Sequence, residues 1–481
     1  MVIMFDLTKK TMYKRLVLIT TCLLGVLHLY AFGSKPLKNR LDKPNIVFIL
    51  VDDLGWRDVG YKGNHYLETP NIDQLSKEGM VFNYAYSNAP NCAPTRAALI
   101  SGQYGPRTGI YTVGTAERGE AKNRKLIPVK NKTELDSAVY TLPEALKDRG
   151  YTTGIFGKWH LGTGNENGPE VQGFDRNVGG GKAGSPKSYF SPYHNPQLKD
   201  GAVGEELTER LTTEAISFIE QAKQQPFFVY LPYYAVHVPL QAKPELVEKY
   251  KKKATDEERY NPTYAALMET VDQQVGRLLA YLKTAGLTDN TLVVFTSDNG
   301  PFYPVTSAAP LNGSKGMLYE GGIRVPLIVK WPNKIKAGSS SDEPVISIDF
   351  FPTFLTLTGA QVPEIKVLDG VDLSPIWLKQ GKIAERTLYW HFPAYLEAYK
   401  GMDQLWRQKP GGAIRKGGWK LIQTFEDNRI ELFNLQQDEV ERHNLAQAFP
   451  EKAAELLHDL QQWQKKVKAP IPTALNPLYK P

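Results

Sequence analysis

The stretch Asn45–Asp53, NIVFILVDD, decides the fold class. Its first seven residues form an apolar run rich in β-branched side chains, which is typical of a strand buried on both faces of a parallel sheet. Asp52 and Asp53 follow directly. Two adjacent carboxylates at the end of a buried strand cost free energy unless a cation or a cage of hydrogen bonds receives them. A polar site is therefore expected at this strand end.

Strands and helices alternate along the chain that follows. Helix boundaries are marked by residues such as Thr69 and Pro70 at a start and Gly79 at an end. The alternation predicts an α/β fold with a large doubly wound, mixed or parallel sheet flanked by helices. The predicted helices cover residues 71–78, 95–101, 142–149, 205–222 and 264–282, and the predicted strands cover 152–156, 291–300 and part of the segment after Pro226.

The sequence pattern changes after about Leu378. Short antiparallel strands are predicted over 387–392, 412–425 and 429–435, and a closing amphipathic helix over 450–467. These elements indicate a smaller α+β C-terminal subdomain. We expect a signal peptide at 1–33, a catalytic α/β domain at 34–378 and the C-terminal subdomain at 379–481.

The first 33 residues have the organisation of a targeting segment. A basic lead-in precedes the apolar run Leu16–Leu29, and Ala31-Phe32-Gly33 ends in small residues suited to cleavage. The run is short for a membrane span. We expect export, with the periplasm favoured over secretion or surface anchoring. A retained membrane anchor and a lipoprotein at Cys22 are the alternatives.

Composition limits the function classes. The 481 residues are 42% hydrophobic and 23% charged with a net charge of +7, which fits a globular protein with a large core. The charge falls when the basic leader is removed, and the mild remainder favours anionic substrates over nucleic acid. Cys92 would then be the only cysteine, either buried and inert or chemically used. The oligomeric state is left open.

Polar residues follow several of the predicted strands. Ligands in open α/β sheets bind beyond the carboxyl ends of the strands, so these residues are expected to meet. Their carboxylate and amide oxygens select Ca²⁺ or Mg²⁺ over zinc. The set comprises Asp52, Asp53, Lys158, His160, His237, Asp298 and Asn299.

Cys92 precedes the helix predicted from Thr95, where free backbone N–H groups favour an anion. Pro94 suits the first helical position and Arg96 can reach back over the cysteine. The sequence CAPTR followed by AALISGQY resembles the signature of the type I sulfatases of the alkaline phosphatase-like superfamily. The resemblance runs from about Asn45 to Pro332, and the C-terminal region is also sulfatase-like.

This resemblance implies a set of site residues. Asp52, Asp53, Asp298 and Asn299 match the family's calcium ligands, with modified Cys92 supplying a further oxygen; Ca²⁺ is favoured over Mg²⁺. The matching catalytic and sulfate-binding residues are Arg96, Lys158, His160, His237 and Lys315. Arg57 stands where family members often have glycine, and it is either a substrate contact or a surface charge.

The family also implies a mechanism. A separate maturation enzyme oxidises the cysteine to Cα-formylglycine, whose hydrate has two hydroxyls on one carbon. One hydroxyl attacks sulfur and the other later expels sulfate. Asp298 would help to deprotonate the attacking hydroxyl and Arg96 would steady the hydrate. His237, with Lys315, would protonate the leaving sugar oxygen, and His160 would take the proton that lets sulfate leave.

The resemblance to carbohydrate-active bacterial sulfatases implies an exo-acting enzyme for a sulfated polysaccharide or its oligosaccharides. Ulvan, fucoidan, carrageenan, glycosaminoglycans and mucin glycans are all candidates. The residues that would bind the sulfate are Lys158, His237 and Lys315. Further sugar contacts, or else loop-packing residues, are Tyr189, Tyr193, His194, His391, Tyr395 and Arg415.

Two other functions remain open from the sequence. Relatives of sulfatases use the same aldehyde nucleophile on phosphorus, which makes a phosphonate or phosphodiester hydrolase the nearest alternative. A noncatalytic binder of sulfated glycans would result if Cys92 stayed unmodified.

Overall fold

The computed structural model describes residues 43–253 and 260–480; the predicted signal peptide lies outside these residues. The strands are β1 (Asn45–Val51), β2 (Met80–Phe82), β3 (Ala85–Tyr86), β4 (Thr152–Phe156), β5 (Arg176–Val178), β6 (Phe227–Pro232), β7 (Thr291–Ser297), β8 (Leu327–Lys330), β9 (Ser339–Ser341), β10 (Val345–Ile346), β11 (Thr387–Phe392), β12 (Leu396–Glu397), β13 (Trp406–Gln408), β14 (Gly411–Lys416), β15 (Trp419–Thr424) and β16 (Ile430–Asn434).

The helices are α1 (Pro70–Glu78), α2 (Cys92–Ser101), α3 (Gly105–Thr108), α4 (Leu142–Asp148), α5 (Gly164–Asn167), α6 (Leu207–Ala222), α7 (Pro244–Lys252), α8 (Pro262–Thr284), α9 (Glu320–Ile323), α10 (Phe350–Thr358), α11 (Ser374–Lys379) and α12 (Pro450–Lys466). In the two described ranges, no helix is both long and apolar enough to cross a membrane.

A mixed sheet in the order β5-β4-β6-β1-β7-β8-β2-β9 organises the larger part of the protein. β1 pairs in parallel with β6 on one side and with β7 on the other, while β8 runs antiparallel to β7. Val51 at the end of β1 is in register with Ser297 at the end of β7. The residues that follow these two strands therefore emerge side by side at one edge of the sheet.

β1 is buried on both faces, as its apolar run predicts. Val47 and Ile49 pack into one hydrophobic core, which includes residues of α6 and α8. Ile46 and Phe48 pack into the other core, with residues of α2, α4 and α10. The predicted α/β fold with helices on both faces of a mixed sheet is confirmed.

The C-terminal region forms the antiparallel sheet β11-β14-β15-β16, which α12 covers with Leu456 and Leu460. The single strand predicted over 412–425 is wrong. A tight turn at Gly417, with φ of 57°, divides it into β14 and β15, and Lys416 pairs with Trp419. The predicted antiparallel sheet plus helix is confirmed, and the boundary at residue 378 stays a prediction.

Helix α2 begins three residues earlier than the sequence indicated. Cys92 is its first residue and Asn91 its N-cap, so Pro94 lies in the first turn rather than at the first position. Proline is tolerated anywhere in a first turn because those N–H groups have no intrahelical partner. The position of a proline therefore fixes the start of a helix only to within a turn.

A buried ion network joins the C-terminal sheet to the larger part of the protein. Lys420 on β15 is fully buried, and its Nζ lies 2.9 Å from Glu320 at the start of α9 and 2.8 Å from Glu441. The Glu441 carboxylate also accepts a hydrogen bond from the backbone N–H of Glu320. Because buried charges are tolerated only when paired, this network fixes the two parts relative to each other.

We expect Lys420→Ala to destabilise the protein by about 3 kcal/mol, because it removes the cation nearest to two buried carboxylates, of which Glu320 keeps the more distant Arg324 at 4.0 Å. The measurement is the free energy of unfolding in urea. Lys416→Ala is the matched control, since Lys416 lies on the neighbouring strand and pairs with Glu455 and Asp459 while 40% exposed. That control should cost less than about 1 kcal/mol, and equal losses for the two variants would contradict the prediction.

Candidate active site

The carboxylates at the end of β1 are held by unusual backbone geometry. Asp53 has a φ of 62°, a left-handed conformation that non-glycine residues adopt only where the surroundings enforce it. Its N–H donates to Oδ1 of Asp298, which follows β7, at 3.2 Å. The N–H of Asp52 donates to the carbonyl of Ala235 beyond β6 at 2.8 Å. Three strand ends thus converge on one site.

These carboxylates surround a space that fits a divalent cation. Ligand atoms of Asp52, Asp53, Cys92 and Asp298 all lie within 4.8 Å of one another. Oδ1 of Asp52 and Oδ1 of Asn299 are buried and have no hydrogen-bond partner. Unpaired buried oxygens of this hard type are what Ca²⁺ or Mg²⁺ would bind.

The pKa shifts of the carboxylates also favour a bound cation. Burial raises the pKa of Asp52 to about 7, and the neighbouring charge of Asp298 adds to the rise. Burial also acts to raise the pKa of Asp53, but Lys315 and His237 lower it well below its ordinary value. Crowded buried carboxylates of this kind are stabilised by a cation placed between them.

Arg96 is fixed within the protein rather than aimed at solvent. It is fully buried on α2, with Nε and Nη2 donating to Oδ2 of Asp298 at 2.9 and 2.7 Å. Its Nη1 donates to the carbonyl of Lys158 at 2.7 Å. Burial alone would lower the pKa of Arg96, but Asp298 and Asp52 raise it. The guanidinium is therefore a permanent charge that orients Asp298.

Two lysines supply movable positive charge. Nζ of Lys158 donates to Oδ2 of Asp52 at 2.6 Å and is fully buried. Nζ of Lys315 donates to Asp53 at 2.7 Å, and its side chain is 11% exposed. An ammonium on a flexible stem can transfer from a carboxylate to an incoming anion. Both lysines are placed to bind oxygens of an anionic substrate.

Cys92 lies at the head of α2 among these charges. It is 1% exposed, and Sγ is 3.8 Å from Oδ1 of Asp53. Burial raises the pKa of the Cys92 thiol, and the Asp52 carboxylate raises it further. Reactive cysteines instead have a depressed pKa. In these surroundings, without a bound cation, the Cys92 thiol stays protonated.

Two histidines face the cluster. Nδ1 of His237 hydrogen-bonds the carbonyl of Val238 at 2.7 Å, which directs Nε2 to within 3.5 Å of Oδ2 of Asp53. Burial lowers the pKa of His237 to about 4. His160 has a φ of 66° and a buried Nδ1 without a partner. Burial and the charge of Lys158 lower the pKa of His160 well below its ordinary value.

Several residues proposed for sugar contacts lie elsewhere or are already used. Arg415 is buried, stacks on Tyr84 and donates to the Tyr86 hydroxyl, while buried His391 bonds the carbonyl of Pro470. The structure contradicts a substrate role for both, because their side chains are committed inside the protein. The hydroxyl of the buried Tyr395 accepts a hydrogen bond from the backbone N–H of Leu126.

The other candidates differ in what they contact. The Tyr189 hydroxyl donates to the carbonyl of His237 at 2.8 Å, so this tyrosine supports the segment that carries His237. The Tyr193 hydroxyl donates to Glu205, whereas His194 is exposed. Arg57 donates to the carbonyl of Ala309 at 3.4 Å, a contact that leaves its two interpretations open.

Sequence reasoning missed Tyr399, which lies at the edge of the site. Its hydroxyl donates to the backbone carbonyl of Lys315 at 3.1 Å, and its ring packs edge-on against Phe302. The guanidinium carbon of Arg407 lies 3.9 Å from the centroid of the Tyr399 ring. No motif marks these residues, because they reach the site only through the pairing of β12 with β13.

Comparison with known proteins identifies the family. The Sulfatase family model matches residues 44–360, and the model for the C-terminal part of N-sulphoglucosamine sulphohydrolase matches residues 314–469. A protein described as a sulfatase from Formosa agariphila is 34% identical, with 91% of this chain and 92% of that protein covered. N-acetylgalactosamine-6-sulfatase from Mus musculus is 35% identical over 72% of this chain and 68% of the relative.

A solved structure shares the architecture. Ps i-CgsB, in complex with k-i-k-neocarrahexaose, matches with a TM-score of 0.73 and 32% identity, covering 88% of this chain and 92% of that chain. The resemblance carried by the Cys92 segment is confirmed. This chain belongs to the sulfatase family and is a sulfuric ester hydrolase.

Proposed function

We propose that this protein removes sulfate esters from a sulfated polysaccharide or its oligosaccharides, using a formylglycine made from Cys92 and a bound Ca²⁺. The single observation that carries the proposal is the position of Cys92. It lies at the head of α2, within reach of three carboxylates that could hold a cation and beside two lysines that could hold sulfate.

Asp52, Asp53, Asp298 and Asn299 would hold the Ca²⁺, which would withdraw charge from the sulfate oxygens, and the hydrated aldehyde at residue 92 would supply the hydroxyl nucleophile. Lys158 and Lys315 bind nonbridging oxygens, where negative charge grows in the transition state. Arg96 keeps Asp298 oriented toward the residue-92 side chain, and Asp298 accepts the proton of the attacking hydroxyl.

The histidines move protons at the other end of the reaction. His237 is fixed through Nδ1, so its Nε2 is the atom that can protonate the departing sugar oxygen. A sulfate group beside it adds negative charge, which raises the pKa of the imidazole from its low value in the free site. His160, with its unpaired Nδ1, receives the proton that lets sulfate leave.

Ca²⁺ suits the site better than Mg²⁺. Asp52, Asp53, Asp298 and Asn299 are at most 1% exposed. Such enclosure leaves little room for the several waters that Mg²⁺ retains, whereas Ca²⁺ accepts protein oxygens in irregular geometry.

The narrow access favours an exo-acting enzyme. Of the side chains that would contact sulfate, Lys315 and His237 are 11% and 15% exposed, and Lys158 is fully buried. A single terminal sulfate can enter such a recess more readily than the middle of a chain. Two relatives, an N-acetylgalactosamine-6-sulfatase and a protein bound to k-i-k-neocarrahexaose, support a carbohydrate substrate. An algal polysaccharide or a glycosaminoglycan is proposed.

Export and maturation complete the proposal. The basic and apolar composition of residues 1–33 supports a cleaved signal peptide and a periplasmic enzyme. Because Cys92 is 1% exposed, the maturation enzyme would have to act before α2 is packed into the protein.

The first test compares protein made with and without a formylglycine-generating enzyme. With the maturation enzyme, the mass of residue 92 should fall by the difference between a CH₂SH and a CHO group. The protein should then release sulfate from 4-nitrophenyl sulfate. Without it, or as Cys92→Ala, the rate should fall at least about 1000-fold, because the nucleophile is missing. Phosphate and phosphonate esters are assayed in parallel. Full activity in protein that retains an intact thiol, or a preference for phosphonate, would refute the proposal.

Metal binding can be tested without activity. Ca²⁺ added to chelator-treated protein should raise the unfolding midpoint, by the equivalent of about 2.7 kcal/mol when the ion is at 100 times its Kd. Asp298→Asn should abolish most of this shift. Asp289→Asn is the control, because Asp289 is exposed and lies just before β7, at the opposite end of that strand from Asp298. An undiminished shift in Asp298→Asn would contradict the assigned ligand set.

Defined sulfated oligosaccharides from algal polysaccharides and glycosaminoglycans test both the substrate and the exo mode of action. We expect sulfate to be released only from a chain end, because only a terminal group enters the recess, with saccharide length unchanged. Ion chromatography measures the sulfate and mass spectrometry locates the remaining esters. Early loss of internal sulfates would show that the enzyme is not exo-acting.

A further inference from the structure

Arg407, next to the Lys315 loop, and Arg118 form no ion pair with a carboxylate of the described residues. Nη1 of Arg407 donates to the carbonyl of Glu397 at 2.6 Å, and its Nε is buried without a hydrogen-bond partner. Nη2 of Arg118 donates to the carbonyl of Val113 at 2.5 Å. In the parts of the chain that the structure describes, neither guanidinium forms an ion pair. Arg386, by contrast, forms an ion pair with Asp349.

Arg407 is fixed next to the catalytic lysine. Its guanidinium carbon lies 3.9 Å from the centroid of the Tyr399 ring, and the Tyr399 hydroxyl donates to the carbonyl of Lys315. A Cβ at Gly316 would lie 2.6 Å from Nε of Arg407. Gly316 also has a φ of 92°, so glycine is needed there both for its conformation and for this close approach.

The two arginines lie in neighbouring segments: a Cβ at Gly119, the residue after Arg118, would lie 2.5 Å from the ring of Trp406, the residue before Arg407. Their positive charges repel each other. Burial lowers the pKa of Arg407, and the charge of Arg118 lowers it further. A guanidinium nevertheless stays charged at neutral pH. The Glu397 carboxylate acts in the opposite direction on the pKa of Arg407, but among the described residues it forms no ion pair with it. The two partly buried guanidinium groups therefore form a site whose free energy falls when an anion enters.

There is also room beside Arg407 for more of a saccharide. Arg407 lines a cavity of about 1240 Å³ together with Trp406, Tyr303 and Tyr319. Aromatic side chains provide apolar surfaces against which sugar rings can pack. Arg407 therefore contacts both the Lys315 loop and a space large enough for sugars beyond the cleaved ester.

We propose that Arg118 and Arg407 bind a second anionic group of the substrate, a carboxylate or a further sulfate, carried next to the sulfate that is removed. The proposal rests on the proposed function and narrows its substrate to saccharides with two anionic groups. Planar guanidinium forks match carboxylate and sulfate oxygens in two-point contacts. The pair would thus select among sulfated sugars rather than take part in the chemistry.

Binding calorimetry on the Ca²⁺-loaded thiol form tests this without turnover. The probes are N-acetylgalactosamine 6-sulfate, the chondroitin 6-sulfate disaccharide, which adds a carboxylate, and its 4,6-disulfated form, which adds a sulfate. At least one of the added anionic groups should tighten binding. Arg407→Gln and Arg118→Gln should each lower the affinity for that disaccharide about 10-fold or more. Their affinity for the monosaccharide should stay within about twofold.

Arg176→Gln is the matched control, because Arg176 is an arginine on β5 that pairs with Glu214 and is 59% exposed. It should bind all probes like the unaltered protein. Absence of any gain from either added anion, or an equal loss for all probes in Arg407→Gln, would overturn the proposal. Which disaccharide gains affinity distinguishes a carboxylate from a second sulfate. Failure of the proposed function would appear separately, as absent hydrolysis of 4-nitrophenyl sulfate by the matured enzyme.

Discussion

The balance between three buried carboxylates and three buried cations at the end of β1 is the constraint on which the site depends. Asp52 is bound by Lys158, Asp53 by Lys315 and Asp298 by Arg96. None of these charges could be buried alone, because each would lose its hydration without return. The same pairing would let the site respond to the binding of a cation. A divalent cation held by the carboxylates would leave Lys158 and Lys315 without their partners, so that both could bind an anion.

The sheet provides the geometry for this balance. β1 lies between β6 and β7, so residues that are far apart in sequence leave the sheet at neighbouring positions. Asp53, in the segment after β1, and His160, in the segment after β4, both have a positive φ. Backbone strain at two site residues is consistent with a geometry that the packed sheet enforces.

The fold and the charged cluster could be predicted because their signals are local. The apolar run of β1, the acidic pair behind it and the CAPTR segment each carry information in adjacent residues. Arg415 and His391 were misjudged for the opposite reason. Their burial comes from pairing of distant strands, β11 with β14, and a polar residue in a short strand gives no sign of which face it occupies. Arg407 was missed for the same reason.

The C-terminal subdomain has a more direct role than covering the sheet. The backbone N–H of Lys315 donates to Pro301, beyond β7, and its carbonyl accepts from Tyr399, between β12 and β13. Three residues later, Leu318 donates to the side chain of Gln408 on β13. Lys315 is thus held between the two parts of the protein. Since the buried network around Lys420 locks those parts together, the position of the Lys315 ammonium depends on a C-terminal sheet that, within the described residues, contributes nothing to the charged cluster itself.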